Sequence, residues 1–244
     1  MLQSLRHKIK HSLLERWGMP HSPVSGLSPA LYRRFRGSDP ITLIDIGAHT
    51  GWFTSLLSAV CPVKDALLIE PIEALAQKLS RDPAFGGYRV VECAVTDFDG
   101  EIEINVFPER TDMSSALHLD QSVEGLTEIA RTNAIPVLRP ARRLDTVAAG
   151  FATSIIDLIK IDVQGLEHLV IKGGAETLSR TKSVFTEVSF RPHYVGSSVF
   201  SDIYGLLRAH SFVMLDLEPG FRGKTGELLQ ADAMFVKAGG QSEM

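Results

Sequence analysis

Short apolar runs alternate with helical patterns along most of the chain from residue 41 onward. Buried strands are predicted at residues 41–46, 66–69, 89–93, 155–161 and 183–188. Helices are predicted between them, at residues 52–60, 72–79, 166–178 and 200–209. Continuous apolar strands that alternate with helices are typical of a parallel sheet covered on both faces. Two further runs, 212–217 and 231–236, predict a closing antiparallel pair, so the fold class is a Rossmann-like α/β sheet.

The middle of the chain interrupts this alternation. A turn signal at residues 97–100 precedes the segment Glu101–Phe107, in which polar and apolar residues alternate. Such alternation is typical of a half-buried strand, so we expect a small β insertion beside the main sheet. Residues 108–140 show few strong periodic signals and are predicted to include mobile loop.

The N-terminal segment has its own character. Residues 1–17 place apolar side chains every three or four positions, which predicts an amphipathic helix. Residues 18–29 are rich in Pro, Ser and Gly and are predicted to be a linker. The expected organisation is therefore a basic helix and linker over 1–40, one domain over 41–238, and a tail over 239–244.

Charge and composition narrow the partners. Residues 1–40 carry seven Lys or Arg against two acidic residues, although the whole chain has a net charge of -4. That balance argues against a dedicated nucleic-acid binder. The N-terminal helix is expected either to pack on its own domain or on a second copy of the chain, or to lie on a membrane surface. Two cysteines, no membrane-spanning run and no secretory signal suit the cytoplasm, either free or peripheral to the inner face of the membrane.

A glycine turn follows the first predicted strand. The segment reads Asp45-Ile-Gly-Ala-His-Thr-Gly51 and opens a helix, whose N-terminal N–H groups suit an anionic group. Glu70 follows the second strand, where a carboxylate can accept hydrogen bonds from a ribose diol. Both features fit a dinucleotide or S-adenosylmethionine.

The residue two positions after Gly47 separates these ligands. A dinucleotide motif needs a glycine there to make room for the pyrophosphate, whereas this chain has His49. S-adenosylmethionine carries only a compact carboxylate, and Asp45 can help to bind its ammonium group. The turn therefore favours the methyl donor, and a nucleotide-binding oxidoreductase is the alternative.

Several further segments, in the same order, resemble the FkbM family of methyltransferases. They include Ala94–Asp97, Ser114–Leu117, Arg143–Val147 and, most specifically, Asp157-Leu-Ile-Lys-Ile-Asp-Val-Gln-Gly-Leu-Glu167. The resemblance implies a class I methyltransferase with a mostly parallel seven-stranded sheet and an antiparallel edge. It also implies S-adenosylmethionine as cofactor and methyl transfer to a hydroxyl of a sugar, a glycan or a related metabolite. On this basis the cofactor is expected to contact Asp45, Gly47, His49, Gly51, Glu70 and Ala94.

This chain departs from the family pattern at two positions. His49 stands where the family usually has Asn, and Gln164 stands where it usually has Glu. A Gln keeps the hydrogen-bonding reach without the charge, so we assign position 164 no acid–base role. These two departures motivate a further alternative, a non-catalytic subunit that binds S-adenosylmethionine.

Candidate acceptor-side residues follow the later strands. Transfer to a hydroxyl needs a base, and Asp162 and Glu187 end neighbouring predicted strands, where parallel sheets place their ligands. Asp162 has a structural alternative as a helix cap. His193, in the loop after Glu187, is the third candidate base. Because no third oxygen ligand is apparent beside the two carboxylates, no metal is predicted.

Overall fold

A computed structural model describes residues 24–120, 134–151 and 155–239. The predicted N-terminal helix over residues 1–17 lies outside these ranges, as does most of the predicted tail. Its predicted contact with a membrane or a second copy of the chain stays a prediction.

The main sheet has seven strands, in the order β3-β2-β1-β7-β8-β10-β9. They are β1 (Ile41–Ile46), β2 (Val63–Ile69), β3 (Arg89–Val91), β7 (Leu158–Ile161), β8 (Ser183–Ser189), β9 (Phe212–Pro219) and β10 (Gln230–Lys237). The first five in this order are parallel, and β10 pairs antiparallel with both β8 and β9. The predicted parallel sheet with an antiparallel edge is therefore confirmed.

Seven α-helices occur in the described residues. They are α1 (Pro29–Phe35), α2 (Trp52–Ser58), α3 (Glu73–Arg81), α4 (Leu144–Ala148), α5 (Glu167–Lys172), α6 (Ala175–Ser179) and α7 (Phe200–Ala209). The helix over 166–178 is divided at Gly173 and Gly174, as this glycine pair predicts. Both glycines are closely packed, since a side chain at either position would collide with neighbouring atoms. In the part of the chain that the structure describes, no helix has the length and apolarity to cross a membrane.

A second, three-stranded sheet forms the β insertion. It contains β4 (Ala94–Thr96), β5 (Gly100–Val106) and β6 (Ile135–Arg143), in the order β4-β6-β5. The insertion is confirmed, and β6 begins inside residues 108–140, where the sequence shows few periodic signals. Pro136 and Pro140 hid this strand, since proline lacks the N–H of a strand residue and argues against a strand in sequence patterns.

The core lies on both faces of the main sheet. Alternation along β1 sends Leu43 into one buried cluster and Ile44 into the other. The cluster that contains Leu43 also contains Leu27, Leu31 and Phe35. These residues belong to α1 and the segment before it, so the domain begins before the predicted boundary at residue 41. Residues 24–40 are not a free linker, because their apolar side chains cover part of the sheet.

Candidate active site

A cavity of about 520 Å³ opens at the carboxyl edge of the parallel strands. Residues that directly follow three neighbouring strands line it: Glu70 after β2, Gly47 after β1 and Asp162 after β7. Glu187 on β8 and Asp232 on β10 continue this lining toward the antiparallel edge. The topology therefore gathers into one cavity side chains that are far apart in sequence, as open α/β sheets generally do.

The turn after β1 requires glycine at both Gly47 and Gly51, for different reasons. Gly47 has a φ of 74°, and an added Cβ would overlap the backbone carbonyl oxygen of Asp162. Gly51 has a φ of 77°, and its added Cβ would overlap the ring of Phe85. Gly47 lines the cavity and Gly51 does not, so the structure gives Gly51 a packing role at the start of α2.

The side chain of His49 contacts a residue outside the glycine turn. Its backbone is left-handed, with a φ of 52°, and its Nε2 lies 2.8 Å from the hydroxyl oxygen of Thr111. Both residues line the cavity. The contact ties the turn after β1 to the segment after β5, so His49 forms part of the cavity rim.

Glu70 is buried at the end of the cavity formed by β2. Its two carboxylate oxygens accept hydrogen bonds from the backbone N–H groups of His49, at 2.8 Å, and of Ile72, at 2.9 Å. Burial raises the pKa of Glu70 above its usual range, although these two hydrogen bonds act in the opposite direction. The carboxylate is thus held in one orientation, and its oxygens keep lone pairs for further donors.

Asp45 is fully buried and does not line the cavity. Its carboxylate accepts a hydrogen bond from the hydroxyl of Thr54 at 2.7 Å and lies 3.4 Å from the ammonium of Lys160. The structure therefore places Lys160, not Asp45, at the cavity surface.

Lys160 is a central residue of the site that we did not select from the sequence. Its ammonium donates to the carbonyl oxygen of Gly47 at 2.7 Å and lies 3.5 Å from the carboxylate of Asp162. Burial lowers the pKa of Lys160, but Asp162 and Asp45 more than offset this effect, so the pKa lies above its ordinary value. Lys160 is consequently a fixed positive charge and a poor base.

Asp162 lies at the centre of the cavity wall, with its side chain 38% exposed. The helix-cap alternative is not supported, because the N–H groups of Val163 and Gly165 donate to Glu167, each at 3.1 Å. Buried Glu167 thus holds the turn after β7, and the Asp162 carboxylate is not bound to these N–H groups.

Glu187 and Asp232 stand directly opposite each other on β8 and β10. Burial raises the pKa of Glu187 well above its usual range, and the neighbouring carboxylates add to this shift. Burial likewise raises the pKa of Asp232 to about 7, with a further contribution from Asp162. Sequence reasoning missed Asp232 because only the antiparallel register of β10 brings it to the cavity.

His193 does not line the cavity. Its ring is buried with its edge toward Phe221, and burial lowers its pKa. The structure therefore does not bring this candidate base together with Asp162 and Glu187.

The remaining walls are largely apolar. Ala94 lines the cavity together with Ile72 and Val95. Ile72 lies two residues after Glu70 in the chain. Trp52 also lines it, and 59% of this residue is exposed. Near β2, the cavity thus combines the Glu70 carboxylate with apolar walls. The rest of its lining includes charged groups and the exposed ring of Trp52.

These residues fit S-adenosylmethionine. Glu70 offers carboxylate oxygens to a ribose diol, and the apolar group around Ala94 offers a wall for an adenine ring. Gly47 brings backbone rather than a side chain to the cavity surface. Together with the strand order, this site defines a class I methyltransferase.

Comparison with known proteins gives the family. The profile of the methyltransferase FkbM domain matches residues 45–214. The chain belongs to this family and is an S-adenosylmethionine-dependent methyltransferase. It is 28% identical over 197 residues to 2-O-methyltransferase NoeI of Sinorhizobium fredii, a match that covers 78% of this chain and 79% of that protein.

Solved structures with a similar chain path include two methyltransferases with bound ligands. One is the 1,6-didemethyltoxoflavin-N1-methyltransferase of Burkholderia thailandensis, with S-adenosylhomocysteine (15% identity, 97% of this chain and 87% of that chain, TM-score 0.48). The other is the magnesium protoporphyrin IX methyltransferase of Synechocystis, with S-adenosylmethionine (10% identity, 82% and 71%, TM-score 0.42). The family assignment does not favour the nucleotide-binding oxidoreductase or the non-catalytic subunit.

Proposed function

We propose that this chain methylates a hydroxyl oxygen of a sugar, either free or within a glycan. The observation that carries the proposal is the extent of the cavity along the sheet edge, from Glu70 after β2 to Asp232 on β10. These strands are four spacings apart, which corresponds to about 19 Å. Such a span leaves room for an acceptor beside the donor, and the carboxylates of Glu187 and Asp232 lie at the end away from Glu70.

The polar and aromatic groups that line the cavity suit a carbohydrate. Sugar hydroxyls donate hydrogen bonds, and carboxylates such as Glu187 and Asp232 accept them. The C–H face of a sugar ring is apolar, and an exposed aromatic ring such as Trp52 offers it a flat surface. The similarity to a protein named as a 2-O-methyltransferase supports transfer to oxygen.

Asp162 is the proposed general base. When bound, S-adenosylmethionine supplies a methyl group activated by a positively charged sulfur, so alignment and removal of one proton remain for the protein. Asp162 is the more exposed of the two candidate carboxylates and lies beside Gly47, whereas Glu187 is more deeply buried. Its raised pKa makes Glu187 better suited to hold a proton and to orient the acceptor.

Amide variants test these roles. Asp162→Asn keeps the size of the side chain but removes its basicity, and it should lower kcat by roughly 10²–10⁴. Binding of S-adenosylhomocysteine, measured by calorimetry, should stay within threefold of wild type. Asp39→Asn is the matched control, since Asp39 is exposed and precedes β1 at the opposite edge of the sheet. Full activity of Asp162→Asn would remove Asp162 as the base.

The acceptor class is tested directly. Methyl hexopyranosides of glucose, galactose and mannose, with their 2-deoxy counterparts, are incubated with enzyme and labelled donor, and methyl ethers are sought by mass spectrometry. Transfer to a sugar and loss of transfer with its 2-deoxy form would support the proposal. Methylation confined to nitrogen acceptors would contradict it.

The reaction is also proposed to need no metal. Among residues 24–120, 134–151 and 155–239, no three His, Cys, Asp or Glu side chains are placed to hold an ion together. Activity should therefore be unchanged by EDTA. Loss of activity that magnesium restores would show that the carboxylates bind a cation.

A further inference from the structure

The side chain of Gln164 connects Asp162, which lines the cavity, to Tyr194, which lies behind the lining. Its amide Nε2 donates to Oδ1 of Asp162 at 2.8 Å. Its Oε1 accepts a hydrogen bond from the hydroxyl of Tyr194 at 2.9 Å. The other oxygen of Asp162, Oδ2, lies 3.5 Å from Lys160. Each carboxylate oxygen of Asp162 thus has its own partner.

This chain of hydrogen bonds has one direction. A carboxylate can only accept, the NH₂ group of an amide can only donate, and a tyrosine hydroxyl can do either. Reversing the amide of Gln164 would place its oxygen against an oxygen of Asp162. With a carboxylate at Asp162, the Gln164 amide donates to its Oδ1, and the amide oxygen faces the Tyr194 hydroxyl, which also lies 3.0 Å from the carbonyl oxygen of Met113.

The residues around Gln164 fix its position. Its backbone is left-handed, with a φ of 54°, which is uncommon for a residue other than glycine. The hydroxyl of Ser115 donates to the carbonyl oxygen of Gln164 at 2.7 Å. Tyr194 is buried in a small apolar cluster with Phe107 and Leu119. Gln164 is thus held by contacts from two other segments of the chain.

We propose that Gln164 is a positioning residue, which keeps the Asp162 carboxylate directed into the cavity by bridging it to Tyr194. This inference rests on the proposed role of Asp162 as the base. Gln164 itself exchanges no proton with the substrate. Its contribution is to fix the direction of a side chain that is otherwise partly exposed.

The variant Gln164→Glu tests the bridge through its pH dependence. It replaces the donor beside Asp162 by a second carboxylate, and two carboxylates in contact lose their protons at higher pH than one alone. We expect the acidic limb of the kcat/KM profile to move upward by about one pH unit or more. Activity should be at least tenfold below wild type at pH 6 and within threefold of it at pH 9. An equal loss at both pH values would show a purely structural role and overturn the proposal.

Gln77→Glu is the matched control. Gln77 also donates to a neighbouring carboxylate, that of Glu73, at 3.1 Å, but on the exposed surface of α3. The variant Gln77→Glu makes the same chemical change away from Asp162, so its pH profile should match that of wild type. A shift as large as that of Gln164→Glu would mean that net charge alone explains the result.

A second variant covers the case in which Gln164→Glu does not fold. Tyr194→Phe removes the hydroxyl that orients the amide, and it should lower kcat three- to tenfold while KM and S-adenosylhomocysteine affinity stay within twofold. Unchanged kcat would overturn the positioning role. If the kcat of Tyr194→Phe is unchanged but Asp162→Asn is inactive in the same assays, the role of Asp162 as the base still stands. If Asp162→Asn is fully active, the base assignment itself has failed.

Discussion

Gly47→Ala tests the close approach of the turn after β1 to the turn after β7. An alanine at a φ of 74° costs about 1–2 kcal/mol in backbone strain. Its Cβ would also lie well inside 3.0 Å of the Asp162 carbonyl oxygen, a separation that real Cβ contacts essentially never reach. Because that oxygen belongs to the backbone, the ends of two paired strands must separate, and overpacking of this kind costs roughly 1–3 kcal/mol. Together, the two effects should lower the free energy of unfolding by about 2–5 kcal/mol.

Gly37→Ala isolates the second contribution. Gly37 has a φ of 68°, but nothing lies within 4 Å of its added Cβ. This variant should lose only about 1–2 kcal/mol of the free energy of unfolding in urea titrations. Calorimetry with S-adenosylhomocysteine should show weaker binding for Gly47→Ala and wild-type binding for Gly37→Ala. Equal losses of stability in the two variants, with donor affinity intact, would refute the argument from backbone contact.

Two further predictions concern carboxylates. Glu70→Ala should weaken S-adenosylhomocysteine binding by about 1–3 kcal/mol, the scale of lost charge-assisted hydrogen bonds, while Glu73→Ala on the exposed face of α3 should leave it unchanged in calorimetry. Asp232→Asn should alter the pH dependence of stability: because burial raises the pKa of Asp232 from 3.8 to about 7, the folded state binds more protons than the unfolded state in this window, and its stability falls as the pH rises from about 4 to about 7. Urea titrations between pH 5 and 8 should show a smaller fall for Asp232→Asn than for wild type, and parallel curves would contradict the burial argument.

The parallel part of the fold was readable because its strands are buried on both faces. Strands such as β1 and β8 are buried along most of their length and rich in apolar residues, and helical periodicity separates them. β6 was missed for the opposite reason, since it is mostly exposed and contains two prolines. The packing of residues 24–40 was also missed, because turn-forming residues conceal the few apolar side chains that reach the core.

The site was predicted where a residue directly follows a parallel strand. Gly47, Glu70 and Asp162 occupy such positions and line the cavity. Asp232 could not be found this way, because it lies near the beginning of an antiparallel strand and reaches the cavity through its register with Glu187. His193 follows β8 only four residues after it ends, yet its loop turns the ring inward, which sequence spacing does not reveal.

The lining of the cavity divides between the part of the chain that matches the family and the segments flanking it. Glu70 and Asp162 lie within residues 45–214, whereas Leu31 on α1 and Asp232 on β10 lie outside. Changes in these flanking segments can therefore reshape one side of the cavity without touching the residues around Glu70. Under the proposed function, residues 24–40 and 230–237 are therefore the segments to exchange between relatives when acceptor choice is to be altered.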